Sequence, residues 1–160
     1  MKPREIRQYI LTDHTVLRQI LDQLDRQAIR VLEGREDELP VLRDRGLWFY
    51  AKFAEHLAFE DRCLAPMLRD AGFSGLELST HLEEDHREQR ELMRYILSGL
   101  RNQTRPAQVV AGELRSLVEL ILADMADEES TILSATLLRD PALRPSRGRD
   151  ASHTLPNSDR

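Results

Sequence analysis

The sequence is poor in residues that cross-link a chain or interrupt helices, with one cysteine, seven glycines and seven prolines among 160 residues. Because Cys63 is the single cysteine, no internal disulfide can form, which excludes a disulfide-stapled domain and suits a reducing compartment. β-Branched residues are too few and too scattered to form strands. These scarcities predict an all-α fold, and the length fits one domain.

Charge and hydropathy argue against two kinds of partner. The chain has 23 Lys and Arg against 28 Asp and Glu, a net charge of −5, and the two signs are mixed rather than gathered into the basic stripe of a nucleic-acid-binding protein. No segment approaches the roughly 20 apolar residues of a membrane span, and residues 1–14 lack the apolar run of a secretory signal. We expect a cytoplasmic protein with no nucleic-acid or membrane partner.

Four long segments favour helix, and short breaks separate them. Gly34 ends the first, Gly72 and Gly75 mark the second break, and Pro106 follows the third. Pro66 lies late in the second segment and is expected to kink it or loosen its last turns. The predicted helices span residues 4–33, 39–71, 75–102 and 106–136.

The short joints set the expected topology. Short connections favour antiparallel neighbours, so we predict an up-down-up-down four-helix bundle over residues 1–138. Residues 139–160 have little apolar content and no periodicity, and they are expected to form a flexible tail.

Each predicted helix carries at least one potential metal ligand on its apolar face. Residues three, four, seven and eleven apart share a helix face, so His14 lies with Ile10, Leu17 and Leu21, and His86 lies with Met93. The segment "EHLAFED" sets a histidine and a glutamate one turn apart. The inward-facing set contains three histidines and three carboxylates: His14, His56, Glu60, His86, Asp124 and Glu128.

A histidine on an apolar face is, taken singly, more often a hydrogen-bonded core residue than a ligand. Three carboxylates in one bundle interior are harder to explain, because burying an unpaired carboxylate is costly and the three would repel one another. Protonated histidines or an ion pair with Arg90 would offset part of this charge. Two divalent cations bring +4 against −3, and one bridging hydroxide closes the balance. A shared site for two metals is the simplest interpretation.

Other polar residues have weaker claims on such a site. His81 and Glu129 lie five residues from His86 and Asp124 and are predicted to point away from the core. Asp13 could orient a histidine or lie on the surface, and the sequence leaves both open. Trp48 is predicted in the core with Phe49, Phe53 and Cys63. Three acidic residues beside the ligands are predicted to be solvated surface charges: Glu55, Asp61 and Asp85.

The segments "DHTVLRQILDQL", "FAEHLAFEDRCLAPML", "EEDHREQRELM" and "ADMADEESTIL" resemble the four helices of a hemerythrin-like (HHE cation-binding) domain over about residues 4–138. The His-x-x-x-Glu of the second segment is the most specific piece. The resemblance implies a four-helix bundle holding an oxo- or hydroxo-bridged pair of non-haem irons, with manganese or zinc less favoured. It assigns His14 and His56 to one iron, His86 and Asp124 to the other, and Glu60 and Glu128 as bridges.

The sequence departs from the oxygen-carrying members of that family at two positions. Leu82 stands where those proteins place a second histidine, and Asp124 stands where the family usually has histidine. Anionic oxygen donors favour ferric iron, so we expect reaction with O2, peroxide or NO rather than reversible oxygen carriage. Replacing Asp124 with histidine should raise the reduction potential, and an unchanged potential would count against this interpretation.

Several functions are compatible with the pattern. Peroxidase or catalase-like turnover is one form of the di-iron hypothesis, and whether the chain is an enzyme stays open. A redox, oxygen or iron sensor would transmit ligand loss to the last helix and the tail. A metal-free helical interaction module would be indifferent to chelators. A zinc or single-metal site suits the ligand types, and the chain could be a monomer or a dimer.

Overall fold

The computed structural model describes residues 1–102 and 104–133, and this part of the chain is helical apart from turns. The prediction of an all-α fold is confirmed. Four long helices and one short 3-10 helix follow one another along the chain: α1 (Pro3–Leu32), the 3-10 helix (Glu36–Glu38), α2 (Leu39–Arg69), α3 (Phe73–Asn102) and α4 (Ala107–Ser130).

Two glycines end helices in the left-handed conformation that favours this residue. Gly34 follows α1 with φ of 93°, and Gly72 follows α2 with φ of 98°. Gly75 is not a break, because α3 already begins at Phe73. It lies where α3 crosses the end of α2, and a Cβ at this position would come within 2.0 Å of the Leu68 carbonyl oxygen.

Helix α4 is shorter than predicted. It ends at Ser130, and the Leu133 amide then donates to the Glu128 carbonyl in a turn that buries both Ile132 and Leu133. Arg7 donates to the Leu133 carbonyl at 2.6 Å, which ties this turn to α1. No glycine or proline marks the stop, so local sequence could not reveal it. The predicted tail lies outside the described residues.

The helices pack as a closed ring in which α1 contacts α2 and α4, and α3 contacts α2 and α4. This is the predicted up-down-up-down bundle. Its interior has two apolar clusters. The larger lies around Leu24, Phe49, Ile96 and Leu114, and the smaller fills the other end. The smaller cluster consists of Ile6, Ile10, Leu64, Ala65, Leu68, Leu82, Ile132 and Leu133.

The prediction that Trp48 lies in the core is wrong. Trp48 is 53% exposed, whereas Phe49 and Phe53 are buried. Trp48 lies just outside the face of α2 that packs against the neighbouring helices. Helix α2 runs through Pro66 to Arg69, with the proline ring at the surface. Among the described residues, no helix combines the length and apolar character needed to cross a membrane.

Candidate metal centre

A polar layer separates the two apolar clusters. It is built from His14 on α1, His56 and Glu60 on α2, His86 on α3 and Glu128 on α4. The first four are at most 2% exposed, and the Glu128 side chain is 12% exposed. Four of these residues each place one potential ligand atom within 4.8 Å of the ligand atoms of the other three. They are His14, His56, Glu60 and Glu128.

The imidazole Nε2 atoms converge on the two glutamates. Nε2 of His86 lies 3.2 Å from Glu60 Oε2, and Nε2 of His56 lies 3.5 Å from the same oxygen. Nε2 of His14 lies 3.4 Å from Glu128 Oε2 and 3.8 Å from Glu60 Oε1. His86 Nε2 is also 3.9 Å from Glu128 Oε1. Both glutamates therefore touch histidines from two or more helices, as bridging ligands would.

Proximity here does not amount to hydrogen bonding. Within the described part of the chain, both Glu60 oxygens are buried without a hydrogen-bond partner. The same holds for Glu128 Oε2 and for Nε2 of His14 and His86. Native proteins leave few buried polar atoms unsatisfied, and each such atom calls for a partner. Five unsatisfied atoms gathered at one point fit a bound cation, since metal coordination would satisfy all of them together.

Each histidine is also hydrogen-bonded to a carboxylate through Nδ1, the ring nitrogen that faces away from the centre. His14 Nδ1–H donates to Glu129 at 2.9 Å, and His56 Nδ1–H donates to Asp13 at 2.8 Å. His86 Nδ1–H donates to Asp61 at 2.6 Å. In the neutral, metal-binding form of the ring, this hydrogen bond fixes the tautomer with the Nε2 lone pair toward the centre, and it raises the basicity of the ligand. All three imidazoles are thus oriented for metal coordination.

Two of these outer carboxylates contradict the sequence-based predictions. Glu129 was expected to point away from the core, and Asp61 was expected to be a solvated surface charge. Each lies at a helix–helix boundary, where the neighbouring helix brings an imidazole within reach of the carboxylate. Arg18 also pairs with Glu129 at 2.8 Å, and Arg90 pairs with Asp61 rather than with an inward carboxylate. The available signal was adjacency, because each lies directly beside an inward glutamate in the sequence.

Asp13 takes the orienting role that the sequence left open, and Glu55 is exposed beside Lys52 as predicted. His81 is exposed, and its Nδ1–H donates to the Glu77 carbonyl. Asp85 is exposed as well.

Asp124 stands apart from the compact group. Its carboxylate accepts a hydrogen bond from the side-chain amide of Gln89, a residue that sequence reasoning missed. Gln89 is buried, and its Oε1 has no hydrogen-bond partner among the described residues. Burial, partly offset by the Gln89 hydrogen bond, raises the pKa of Asp124 above its ordinary value. Its assignment as a ligand stays a prediction.

Protons balance the charges of the metal-free cluster. Burial opposes protonation of His86, but contacts with Glu128, Glu60 and Asp61 outweigh it and raise the pKa of His86 to about 10. Burial likewise opposes protonation of His14, yet Glu128 and Glu129 raise its pKa. Burial would raise the pKa of Glu128, but His14 and His86 lower it to about 2. A cation would compete with protons for the two histidines.

Imidazole nitrogen and carboxylate oxygen are donors that suit iron, manganese and zinc, and no thiolate is present in the cluster.

A family model described as the Hemerythrin HHE cation binding domain matches residues 5–136. No curated protein and no solved structure matched the chain.

Proposed function

The chain belongs to the hemerythrin HHE cation-binding domain family, and from that premise we propose that it is a non-haem di-iron protein that reacts with O2, peroxide or NO. The observation that carries the proposal is the shared arrangement of the three histidines. Each has Nδ1 bound to an outer carboxylate and Nε2 directed at Glu60 or Glu128. A core that needed only apolar packing would not require three such oriented imidazoles.

The proposed ligand set follows the convergence of these atoms. His14 and His56 would hold one iron, His86 would hold the other, and Glu60 and Glu128 would bridge them. Asp124 would join the second iron by giving up its hydrogen bond from Gln89. Bound iron would supply a redox couple and an open coordination position for a small molecule.

The protein itself limits what can reach that position. A small cavity of about 10 Å³ lies beside His56 and Glu128, and it has room for about one water-sized molecule. Gln89 and Asp124 supply its other polar groups. Its remaining wall is apolar and is formed by Phe53, Leu57, Ile121 and Met125. On this side of the cluster, these features favour a diatomic ligand or peroxide over a larger substrate.

Metal analysis tests the proposal directly. Protein purified without added iron and then loaded anaerobically should contain about two irons per chain and, after oxidation, show near-ultraviolet absorption of an oxo bridge. Glu60→Gln should lose most of the iron, because it removes a buried anionic donor. Glu55→Gln is the matched control, since it makes the same change on the exposed side of α2.

The number of metal ions decides between two forms of the site. About two irons with spectral changes on adding peroxide or NO would support the proposal. A value near one would favour a mononuclear site on His14, His56, Glu60 and Glu128. No bound metal, or equal metal content in the two glutamine variants, would contradict metal binding at this cluster.

A further inference from the structure

A cavity of about 310 Å³ lies between α3 and α4, next to the polar layer. Its rim is open to solvent, because His81, Asp85, Asp127 and Thr131 are all exposed. Leu78, Leu82 and Ile132 form its apolar floor. The polar side chains that line it are His81, Asp85, Asp124, Asp127, Glu128 and Thr131.

The cavity leads to the candidate metal centre. Glu128 lines the cavity and also belongs to the buried cluster. Its Oε2 lies 3.4 Å from His14 Nε2 and has no hydrogen-bond partner within residues 1–102 and 104–133. Glu128 is the most exposed of the five cluster residues, at 12% for its side chain. The others are at most 2% exposed. The cluster therefore meets solvent at Glu128, on the α3–α4 side.

The charge of the cavity is one-sided. Four carboxylates line it, from Asp85, Asp124, Asp127 and Glu128, and no lysine or arginine is among its lining residues in the described part of the chain. A cleft lined by one sign of charge against apolar walls concentrates the opposite charge and speeds its arrival. His81 also lines the cavity, and its Nδ1–H donates to the Glu77 carbonyl.

We propose that this cavity is the route by which a hydrated divalent cation reaches the buried cluster, with Asp85 and Asp127 attracting the cation before it passes to Glu128. The inference rests on the proposed metal-binding function. The size is adequate, because six waters occupy roughly 180 Å³ at about 30 Å³ each. Asp124 and Glu128 lie one helical turn apart at the inner end, where successive carboxylates can replace the waters.

Uptake kinetics separate a route from a binding site. Co2+ is mixed with the metal-free full chain at low ionic strength, and its visible absorption is followed by stopped flow. The double variant Asp85→Asn/Asp127→Asn should take up Co2+ on the order of 10-fold more slowly, with the same final stoichiometry. In 1 M salt, where charges are screened within about 3 Å, the difference should largely disappear.

The control makes the same charge change on the same two helices. Glu91→Gln/Glu119→Gln alters one exposed carboxylate on α3 and one on α4 away from the cavity, and it should load at the wild-type rate. The single variant Asp85→Lys, which changes the charge at the rim by the same two units, should slow loading to a similar extent. Circular dichroism of each variant verifies the fold.

Equal loading rates for the two double variants would overturn the route. Lower final stoichiometry in the Asp85/Asp127 variant would also overturn it, because these residues would then be ligands. If the wild-type chain binds no Co2+ at equilibrium, the proposed function fails and the route falls with it. The equilibrium and kinetic measurements therefore distinguish the two failures.

Discussion

At the scale of single residues, the candidate metal centre includes side chains that form hydrogen bonds with the proposed ligands, in addition to the ligands themselves. Asp13, Asp61 and Glu129 each accept the Nδ1–H of a different histidine. A carboxylate in this position orients the ring and increases its electron donation to a metal. His56 pulls the pKa of Asp13 below its usual range, so Asp13 is ionised at neutral pH. These outer groups should therefore affect metal affinity without contacting the metal.

Asp13→Asn tests that expectation. The amide keeps the shape of the carboxylate but loses its charge, so metal affinity should fall about 10- to 100-fold. The affinity is measured by competition with a chromophoric chelator. Asp22→Asn is the matched control, because Asp22 is on the same helix and its carboxylate pairs with Arg26 at the surface. Equal affinities for both variants would show that Asp13 has no orienting role.

Metal binding should release protons. In the metal-free fold, the pKa of His86 is about 10, above its ordinary value of 6.5, and that of His14 is also raised. The His86 ring is therefore protonated at pH 7.5, and it must lose a proton to coordinate a cation. Metal affinity should rise with pH up to about 10. The ion-pair stabilisation of the metal-free fold is complete below pH 6.5 and is lost as pH rises toward 10.

Calorimetric titration in buffers of different ionisation enthalpy measures this proton release. We expect at least one proton released for each loaded chain at pH 7.5. Binding with no proton release and no dependence on pH would show that the rings are already neutral in the metal-free protein.

At the scale of helices, hydrogen bonds form a ring around the polar layer. A side chain of each helix is hydrogen-bonded to a side chain of the next helix. Asp13 of α1 holds His56 of α2, and Asp61 of α2 holds His86 of α3. Gln89 of α3 then holds Asp124 of α4. Glu129 of α4 closes the ring on His14 of α1. Asp124 thus occupies the fourth position of this pattern, and the amide of Gln89 supplies the donor that a carboxylate requires.

This pattern bears on the expected effect of Asp124→His. A histidine at this position would offer Nδ1–H, and the Gln89 amide could rotate to accept it through Oε1, which has no hydrogen-bond partner in the described structure. The variant should fold and raise the reduction potential of the loaded protein, as measured by spectroelectrochemistry. An unchanged potential would indicate that residue 124 does not contact the metal.

Close contact between α2 and α3 gives a prediction about packing. A Cβ at Gly75 would lie 2.0 Å from the Leu68 carbonyl oxygen, so Gly75→Ala should destabilise the metal-free protein by about 1–3 kcal/mol. Gly112→Ala is the control, because a Cβ there meets nothing within 4 Å. It should stabilise α4 by about 0.4–1 kcal/mol. Urea denaturation measures both. Equal stabilities would show that α3 can move away from α2 without cost.

At the scale of the whole molecule, the polar layer lies between two apolar clusters, one formed by all four helices and the other by α1, α2, α3 and the turn that follows α4. The apolar clusters supply the favourable free energy of folding, and the polar layer subtracts from it because its buried groups are incompletely satisfied. Metal coordination would reverse that loss. The bundle is therefore expected to fold without metal and to gain stability on binding it.

Thermal unfolding tests this coupling. Free metal at 100 times its dissociation constant stabilises the fold by about 2.7 kcal/mol, which raises the Tm by roughly 5–10 °C for a domain of this size. Chelation should remove the increase. His56→Ala should unfold at the same temperature with and without metal. A wild-type Tm that does not respond to metal or chelator would favour a metal-free interaction module.

Much of the bundle was predictable because helix periodicity is a local property. Positions three and four apart share a face, so the inward direction of His14, His56, Glu60 and His86 follows from their apolar neighbours. Errors arose where direction depends on the neighbouring helix. Trp48 lies at the edge of such a face and is exposed. The end of α4 at Ser130 depends on a turn that buries Leu133, and no local signal marks it.

The order of the residues along each helix was sufficient to indicate an all-α bundle with histidines and carboxylates facing its interior, since both conclusions need only the geometry of one helix. The partners of those residues could not be obtained this way. Whether Glu129 meets water or His14, and whether Asp124 meets a cation or Gln89, depends on the distance and rotation between two helices. Those quantities are set by packing across the whole core, where residues more than a hundred positions apart come into contact.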